Sequence, residues 1–408
     1  MESGDSMKYI VLLGDGMADY PVPDLDGKTP LEAAHIPTFD KLAQEGDTGL
    51  VHTIPEGFPP GSDVANLCVM GYDPVQFYSG RSPLEAVSIG VPLAADDVTY
   101  RMNLVTVTED GAFEDLTMVD HSAGEITTAE ADALVQALNE ALPLAGNEIY
   151  TGTSYRHCLV VHGGQTGADQ TPPHDILEQK IGAYLPKGVQ ADYFNQLMRA
   201  SMPILKDHPV NRKRMADGKR PANLAWFWGE GTSPALTSFK ELYGKTGGVV
   251  SAVDLLKGLG LSAGLTAPEV EGATGTLDTN YEGKLAAALA ILKDNDFVYL
   301  HFEGPDEAGH HGNPVEKITA IERLDQRVLQ PLMAALAEAG EPYHLLLMPD
   351  HATPIVERTH TADPIPFTLY RSNQAPTHPA KGYTEKHAQE TGWVVPEGHT
   401  LMRLLLAE

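Results

Sequence analysis

Three short apolar runs in this chain each stop at an acidic residue. They are YIVLLGDG (9–16), NDFVYLHFEGPD (295–306) and YHLLLMPDH (343–351), and the acids are Asp15, Asp306 and Asp350. Apolar runs of this length, rich in β-branched or aromatic residues and bounded by Gly, Pro or Asp, are typical of buried strands. The pattern therefore predicts three core strands that each end beside a carboxylate.

Segments with a helical period separate these runs, at 29–46, 281–294 and 314–340. Strands that alternate with helices predict an α/β fold in which helices flank a mainly parallel sheet. Ligands of such folds bind beyond the carboxyl ends of the strands. We therefore expect the three acids to meet at one edge of the sheet.

The middle of the chain lacks this alternation. From 98 to 232 strand and helix patterns mix, and turn-rich stretches such as GGQTGADQTPPHD (163–175) interrupt them. The pattern of a strand followed by a helix resumes at 247–260. We therefore predict an inserted α+β cap domain at 98–232 and a core domain built from 1–97 and 233–408.

The charge and composition exclude several kinds of partner. Asp and Glu number 56 against 28 Lys and Arg, a formal net charge of −28, so we expect no nucleic-acid surface and no binding to an anionic membrane. No apolar stretch approaches the ~20 residues that span a bilayer. Cys68 and Cys158 fit two thiols in a reducing cytoplasm better than a disulfide. The start MESGDS is unlike a signal peptide, and we expect the natural chain to begin at Met7.

Histidines accompany the acids at two strand ends. Asp306 and His310 are four residues apart, so a helical turn places them on one face, and His351 directly follows Asp350. The candidate metal ligands are Asp15, Asp306, His310, Asp350, His351 and His360. Carboxylates and imidazoles together favour Zn²⁺ or Mn²⁺, and more than four ligands predict two ions. A single Asp after a strand is more often a helix cap, but caps do not explain three such acids with histidines close by.

A serine stands ahead of a further helical pattern in PPGSDVANLCVMGYDP (59–74). Ser62 or Asp63 could simply cap that helix. Alternatively, Ser62 is a nucleophile at the helix N-terminus, where the helix dipole favours a phosphate. A serine hydroxyl needs activation by a base or a metal, and no Gly-x-Ser-x-Gly elbow surrounds Ser62. The predicted metals would therefore activate it.

Five motifs, in order, resemble those of the archaeal-type cofactor-independent phosphoglycerate mutases of the alkaline phosphatase superfamily. They are LLGDGMADYP, PPGSDVANLCVMGYDP, GPDEAGHHGN, MPDHATP and RTHTADPIPF, and PANLAWFWGEG in the cap also matches. The resemblance implies an alkaline-phosphatase-like core and a cytoplasmic enzyme of glycolysis. It implies intramolecular phosphoryl transfer between 2- and 3-phosphoglycerate, with two divalent ions and without 2,3-bisphosphoglycerate.

The same resemblance implies roles for individual residues. Ser62 matches the phosphorylated nucleophile. The expected ligands of one metal are Asp15, Ser62, Asp350 and His351, and those of the other are Asp306, His310 and His360. Ser62 would attack the phosphate, and the phosphoserine would return it to the other hydroxyl of a reoriented glycerate inside a closed cap.

The cap departs from the mutase pattern at DHSAGE (120–125). Archaeal mutases typically have arginines where this chain has His121, Ser122 and Glu125, and a bacterial subgroup with this pattern has been proposed to be homoserine kinases. One alternative is therefore phosphate transfer from a nucleotide to homoserine or another small alcohol, whose ammonium Glu125 could pair. A second alternative, a non-enzymatic metal-binding protein, leaves an intact nucleophile without a use.

Residues of the predicted cap are candidates for contact with a small phosphorylated substrate. Because imidazole titrates near neutral pH, His121 is a candidate general acid or base. In so acidic a chain, the basic run NRKRMADGKR (211–220) is the best candidate for an anion-binding loop. The candidate substrate-binding cations are Arg101, Arg156, Arg212, Arg214 and Lys219.

Overall fold

A computed structural model describes residues 7–407 of the chain, which divide into two compact units. The first unit extends to Tyr78 and resumes at Leu236, and the second comprises Ser79–Ala235. The expected start at Met7 concerns residues 1–6, which lie outside the described residues. Within residues 7–407, no helix combines the length and the apolar character needed to cross a membrane.

The helices and strands follow one another through three chain segments. The first segment of the first unit contains β1 Lys8–Gly14, α1 Pro30–Ala33, α2 Pro37–Glu45, β2 Asp47–Val51, α3 Ser62–Val69 and α4 Pro74–Phe77. The second unit contains α5 Ser82–Ser88, β3 Val98–Val107, β4 Met118–Asp120, α6 Thr128–Ala141, β5 Glu148–Tyr150, β6 Arg156–Val161, β7 Ala168–Asp169, β8 Lys187–Gly188, α7 Ala191–Lys206, α8 Pro209–Ala216 and β9 Leu224–Thr232. The remainder of the first unit contains α9 Phe239–Tyr243, β10 Gly247–Val250, α10 Asp254–Ser262, α11 Tyr281–Asp294, β11 Phe297–Phe302, α12 Gly304–His311, α13 Pro314–Leu324, α14 Gln330–Ala339, β12 Tyr343–Met348, β13 Ile365–Arg371, α15 Glu385–Glu390, β14 Val394–Val395 and α16 Leu401–Leu406.

The first unit is built on a seven-stranded sheet with the order β10-β11-β1-β12-β13-β2-β14. The strands β10, β11, β1 and β12 are parallel, β13 is antiparallel to both of its neighbours, and β14 is parallel to β2. Apolar side chains of the central strands pack against the helices, as Ile10 and Val298 do with Phe39 of α2 and Leu285 of α11 in one buried cluster. The predicted α/β fold with a mainly parallel sheet is confirmed.

Proline interrupts two of the three predicted helices. The segment predicted at 29–46 forms α1 and α2, and the second begins at Pro37, which suits a first helical turn because that position needs no N–H donor. The segment predicted at 314–340 forms α13 and α14 with a π-helical turn between them at Asp325–Leu329. Pro331 follows that turn and cannot donate a helical hydrogen bond. The third predicted helix, α11, has the expected bounds.

The second unit is built on an antiparallel sheet. Strand β3 pairs with β6, β9 and β4, and β5 pairs with β6. Tyr100 of β3 and Phe227 of β9 share a buried cluster with Leu134 of α6 and Leu197 of α7. A separate pair, β7 and β8, forms a two-stranded sheet. The unit is therefore α+β, as predicted for the cap.

The second unit begins earlier than the cap predicted at 98–232. The helix α5 precedes residue 98, and its side chains are bonded to β3: the Ser82 and Thr99 hydroxyl oxygens are 2.7 Å apart, and Arg101 Nε lies 3.0 Å from Glu85 Oε2. These contacts join residues 79–97 to the second unit. The change of sequence pattern at residue 98 did not indicate them, because they join side chains of a helix and a strand that no local periodicity pairs.

Candidate functional site

The carboxyl ends of three adjacent strands carry the acidic residues. In the sheet, β1 lies between β11 and β12 and is parallel to both, with Leu13 paired to His301 on one side and Met348 on the other. Asp15 follows β1 directly, Asp350 follows β12 by two residues, and Asp306 lies in the first turn of α12 after β11. Since the three strands end at the same level, the acids meet at one edge of the sheet.

Three of the four candidate ligands in the first group are fully buried, and Ser62 is half-buried. One ligand atom from each of Asp15, Asp350 and His351 lies within 4.8 Å of the others. His351 Nε2 is 3.3 Å from Asp350 Oδ2, 3.5 Å from Asp15 Oδ1 and 3.0 Å from the Ser62 hydroxyl oxygen. The structure therefore brings together all four residues that were expected to hold one metal.

The second group shares a histidine with the first. One ligand atom from each of Asp306, His351 and His360 lies within 4.8 Å of the others. His310 Nε2 is 3.3 Å from Asp306 Oδ2 and 3.0 Å from His360 Nε2. The three residues expected for the second metal are thus in contact, and His351 lies between the two groups.

The electrostatics of these groups fit a divalent cation. Burial raises the pKa of Asp15 well above its ordinary value, and the neighbouring carboxylates of Asp350 and Asp306 raise it further. Burial also raises the pKa of Asp306, but hydrogen bonds from His310 and His360 outweigh burial and hold that pKa well below its ordinary value. The hydrogen bond with Asp306 in turn raises the pKa of His310 to about 9. A divalent cation would replace the protons that these pKa shifts favour and would satisfy the same ligands.

An unpaired buried oxygen points to the same conclusion. Asp15 Oδ1 is buried and has no hydrogen-bond partner among the described residues. A buried carboxylate oxygen without a partner costs free energy unless a donor or a cation satisfies it. The carboxylate and imidazole donors match the preferences of Zn²⁺ and Mn²⁺.

Thr353 is a member of the site that sequence reasoning missed, although it lies in the motif MPDHATP. Its hydroxyl donates to Asp306 Oδ1 and lies 3.2 Å from His351 Nδ1. Because the only hydroxyl hydrogen is used on Asp306, the threonine oxygen must accept from the imidazole, so Nδ1 carries the ring hydrogen. The lone pair of His351 Nε2 is then directed to Ser62 and to the ligand cluster.

Ser62 does not act as a helix cap. Gly61 is the N-cap residue of α3 and Ser62 is its first helical residue. Asp63 accepts a hydrogen bond from Tyr78 instead, at 2.6 Å. Asn66, one turn later, donates through Nδ2 to the Ser62 carbonyl at 2.8 Å and to Asp350 Oδ2 at 2.7 Å. The serine hydroxyl is therefore available at the N-terminus of the helix, beside the first ligand group.

The second unit contains a cluster of cations and aromatic rings, which we call the cap cluster. It comprises Arg101, His121, Tyr155, Arg156, His174 and Trp228. The Arg101 guanidinium lies 4.2 Å from the centre of the Trp228 ring, and that of Arg156 lies 4.7 Å from the Tyr155 ring. The His121 ring contacts Tyr155 and His174 at centroid distances of 5.6 and 6.1 Å. Three of the predicted residues are thus brought together with aromatic partners that were not predicted.

The basic run at 211–220 has a different set of contacts. Arg214 is 2 % exposed and donates to Glu130 at 2.7 Å and to the Ala123 carbonyl at 2.6 Å. Arg220 pairs with Asp120 at 2.7 Å. These bonds hold the turn at 120–125, which carries His121, so Arg214 is committed to the fold of the second unit.

Arg212 and Lys219 are exposed on the same run. For these two residues, a contact with substrate stays a prediction. Ser122 and Glu125 belong to the turn itself: the Ser122 hydroxyl donates to Asp120 at 2.8 Å, and Glu125 has a left-handed backbone with φ of 52°.

Relatives of known name match almost the whole chain. The family model described as 2,3-bisphosphoglycerate-independent phosphoglycerate mutase matches residues 43–211. The protein of that name from Methanosarcina mazei is 48 % identical over 402 residues, which cover 98 % of this chain and 100 % of the relative. A relative from Geobacter sulfurreducens, named as a probable enzyme of the same kind, is 49 % identical over 400 residues, with 98 % and 100 % covered.

Solved structures match the fold over the same length. A Pyrococcus horikoshii protein superposes with a TM-score of 0.81 at 28 % identity, covering 98 % of this chain and 97 % of the other. The cofactor-independent phosphoglycerate mutase of Thermoplasma acidophilum superposes with a TM-score of 0.67 at 25 % identity, covering 98 % and 100 %.

Proposed function

Because the chain belongs to the 2,3-bisphosphoglycerate-independent phosphoglycerate mutase family, we propose that it interconverts 2- and 3-phosphoglycerate. The phosphate passes through a phosphoserine at Ser62, and the reaction depends on two divalent metal ions. One observation carries this proposal: the Ser62 hydroxyl oxygen lies 3.0 Å from His351 Nε2, at the start of α3 and beside buried carboxylates.

The ligand residues divide between two ions. Asp15, Ser62, Asp350 and His351 hold one, and Asp306, His310 and His360 hold the other. When bound, two ions of Mn²⁺ or Zn²⁺ stabilise the negative charge that develops on the transferring phosphate and lower the cost of ionising the nucleophile. Asp15 Oδ1, which finds no hydrogen-bond partner in the described part of the chain, supports this assignment.

The chain supplies the nucleophile and its orientation. Thr353 holds His351 as the Nδ1–H tautomer, and Asn66 holds the Ser62 carbonyl. The N-terminus of α3 directs backbone N–H groups and the positive end of the helix dipole to a phosphate bound at Ser62.

The transfer consists of two steps that mirror each other. In the first step Ser62 Oγ loses its proton and forms a bond to phosphorus, the ester bond of the substrate breaks, and the leaving oxygen takes up a proton. In the second step the other hydroxyl of glycerate loses its proton and attacks the phosphoserine, the bond between phosphorus and Ser62 Oγ breaks, and Ser62 Oγ takes up a proton again. His121 is our candidate for the group that gives and takes the proton.

The cap cluster provides binding groups for the anionic substrate. Arg101 and Arg156 carry guanidinium groups, which bind carboxylate and phosphate in a bidentate manner. Arg101 is held beside Glu85 and against Trp228, so its position is fixed before the substrate arrives. We propose that these two arginines contact phosphoglycerate.

Homoserine phosphorylation is the alternative outcome, because His121, Ser122 and Glu125 stand where arginines are expected. The named relatives favour the mutase reaction. The deciding assay gives the purified enzyme, with Mn²⁺, either 3-phosphoglycerate or homoserine with ATP, and follows the products by phosphorus NMR. Enzyme treated with a chelator is the blank.

Formation of 2-phosphoglycerate is the expected result. O-Phosphohomoserine without 2-phosphoglycerate would refute the proposal in favour of the kinase. Release of inorganic phosphate alone would also refute it, because a mutase must return the phosphate to the glycerate.

A further inference from the structure

We propose that two buried side chains of β11, Tyr299 and His301, position the carboxylates of Asp350 and Asp15 for metal binding. This inference rests on the metal centre put forward under the proposed function. Neither residue touches the substrate or the metal in this scheme, so both are positioning residues.

The first contact is a hydrogen-bonded line that ends on Asp15. His301 is completely buried, its Nε2 lies 2.8 Å from Asp15 Oδ2, and its Nδ1 lies 3.0 Å from the Ser251 hydroxyl oxygen. The Ser251 oxygen accepts the Val253 N–H at 3.0 Å.

The carboxylate of Asp15 determines which group donates and which accepts in each of these hydrogen bonds. A carboxylate that serves as a ligand can only accept, so His301 Nε2 carries the ring hydrogen and donates it. Nδ1 of a neutral imidazole then accepts from the Ser251 hydroxyl. Each group in this line has a hydrogen-bond partner. The bond from Ser251 fixes the orientation of the His301 imidazole on the side of the ring that faces away from Asp15.

The hydrogen bond from His301 determines the role of the other carboxylate oxygen of Asp15. Oδ2 is held by His301, whereas Oδ1 has no hydrogen-bond partner within residues 7–407 and lies 3.5 Å from His351 Nε2. The line therefore decides which oxygen of Asp15 is available to a cation, and it prevents rotation of the carboxylate. Partners of this kind raise metal affinity because they remove the freedom of the ligand before the metal binds.

The second contact begins two residues earlier on the same strand, so Tyr299 and His301 project from the same face of the sheet. The Tyr299 hydroxyl donates to Asn66 Oδ1 at 2.6 Å. Asn66 Nδ2 donates to Asp350 Oδ2 at 2.7 Å and to the Ser62 carbonyl at 2.8 Å. The Asp350 carboxylate and the Ser62 carbonyl can only accept hydrogen bonds, so the amide nitrogen of Asn66 must face them. The hydrogen bond from Tyr299 to the amide oxygen stabilises this orientation.

One strand thus orients two carboxylates of the same metal group. The register pairs Tyr299 with Val11 and His301 with Leu13, so both side chains stand beside β1, whose end carries Asp15. A hydroxyl and an imidazole in the interior of a sheet cost free energy unless their hydrogen bonds are made. The bonds they make end on Asp350 and Asp15.

The test compares matched pairs of variants in the full-length chain. Tyr299→Phe and His301→Phe remove the two donors. Tyr281→Phe removes a buried hydroxyl that donates to the Leu277 carbonyl, and His344→Phe removes a buried imidazole that bonds the Leu405 carbonyl. Mn²⁺ binding to metal-free protein is measured by calorimetry, together with the melting temperature.

We expect Tyr299→Phe and His301→Phe each to raise the dissociation constant of one Mn²⁺ site by about 10- to 100-fold. The other site should change much less. Tyr281→Phe and His344→Phe should leave both sites unchanged even where they lower the melting temperature. His301→Gln retains an N–H near the position of Nε2 and should restore most of the affinity.

Three results would overturn the inference. Wild-type affinity in both β11 variants would refute the positioning role and leave the metal centre standing. An equal loss in the control variants would assign the effect to packing. A wild-type chain that binds neither Mn²⁺ nor Zn²⁺ would refute the metal centre and the positioning role together. Tyr299→Phe removes a single hydroxyl, so it decides the question by itself if His301→Phe does not fold.

Discussion

The edge of the parallel sheet and the cap cluster differ in how their charged groups are packed and exposed. Asp15, Asp350 and His351 at the edge are buried, contact one another, and are oriented by neighbouring side chains. In the cap cluster, Arg101 and Arg156 rest on aromatic rings, and Arg156 is exposed. A resident metal requires ligands that are held close together, whereas a substrate that enters and leaves requires groups that it can reach.

A second contrast lies within the second unit. Arg101 and Arg214 are both largely buried and each pairs with a glutamate, Glu85 and Glu130 respectively. They differ in their other contacts, because Arg101 packs on Trp228 within the cap cluster and Arg214 bonds the turn at 120–125. Charge, burial and an ion pair therefore do not separate the proposed substrate ligand from a structural arginine, and the remaining contacts of the guanidinium make that distinction.

The largest effect is expected from removing the nucleophile at the sheet edge. Ser62→Ala should lower turnover by at least about a thousandfold, because no phosphoserine can form. Mass spectrometry of the intact chain after incubation with 3-phosphoglycerate should find phosphate on the wild type and none on the variant. Ser88→Ala, which removes a hydroxyl that donates to the Glu85 carbonyl, is the control. Near-normal turnover of pure Ser62→Ala would exclude the covalent route.

Removing one proposed metal ligand tests the same edge. Asp306→Asn should reduce bound metal from about two ions per chain to about one and lower activity by about a hundredfold or more. Elemental analysis provides the count. The control is Asp325→Asn, at a buried acid that accepts the Thr38 and Phe39 N–H groups. Two ions retained in Asp306→Asn would show that this residue is not a ligand.

Two arginine variants test the contrast within the second unit. Arg101→Met should raise KM about 10- to 100-fold and leave metal content unchanged. Its stability should fall little, because Glu85 keeps the partner Arg81 at 2.8 Å.

Arg214→Met should do the reverse, with a loss of about 3 kcal/mol of stability and an unchanged KM, because the carbonyl oxygens of Ala123 and Arg220 lose their donor. Thermal unfolding and initial rates measure both quantities. If both variants changed KM equally, the basic run would have to be reassigned to substrate binding.

The smallest effect concerns an acid of the first unit outside the ligand groups. Burial raises the pKa of Glu385 to about 7, above an ordinary value near 4.3. The folded state therefore binds this proton more tightly than the unfolded state, and the stability that it contributes is lost as the pH rises through about 7.

Glu385→Gln should reduce the fall in melting temperature between pH 5 and pH 8, by a few degrees at most. The amide oxygen can still accept the Asp19 N–H, and the amide N–H can donate to the Thr29 hydroxyl oxygen. An identical fall in wild type and variant would show that Glu385 does not titrate in this range.

The sequence by itself predicted the core strands of the first unit and the candidate metal ligands at its edge. Apolar runs that end in Asp predict strands, and parallel strands necessarily bring their carboxyl ends together. Asp15, Asp306 and Asp350 could be found in this way because the information is local to each strand.

Only the tertiary structure decided which other side chains serve these residues. Hydrogen bonds link Thr353, Tyr299 and His301 to residues far away in the chain. The sequence around each of the three does not indicate which residue that partner is. The same holds for Arg101 and Arg214. The local sequence shows the periodicity of apolar residues and the positions where helices and strands end. Whether a charged side chain binds substrate or forms a structural ion pair depends instead on which acceptor the fold brings next to it.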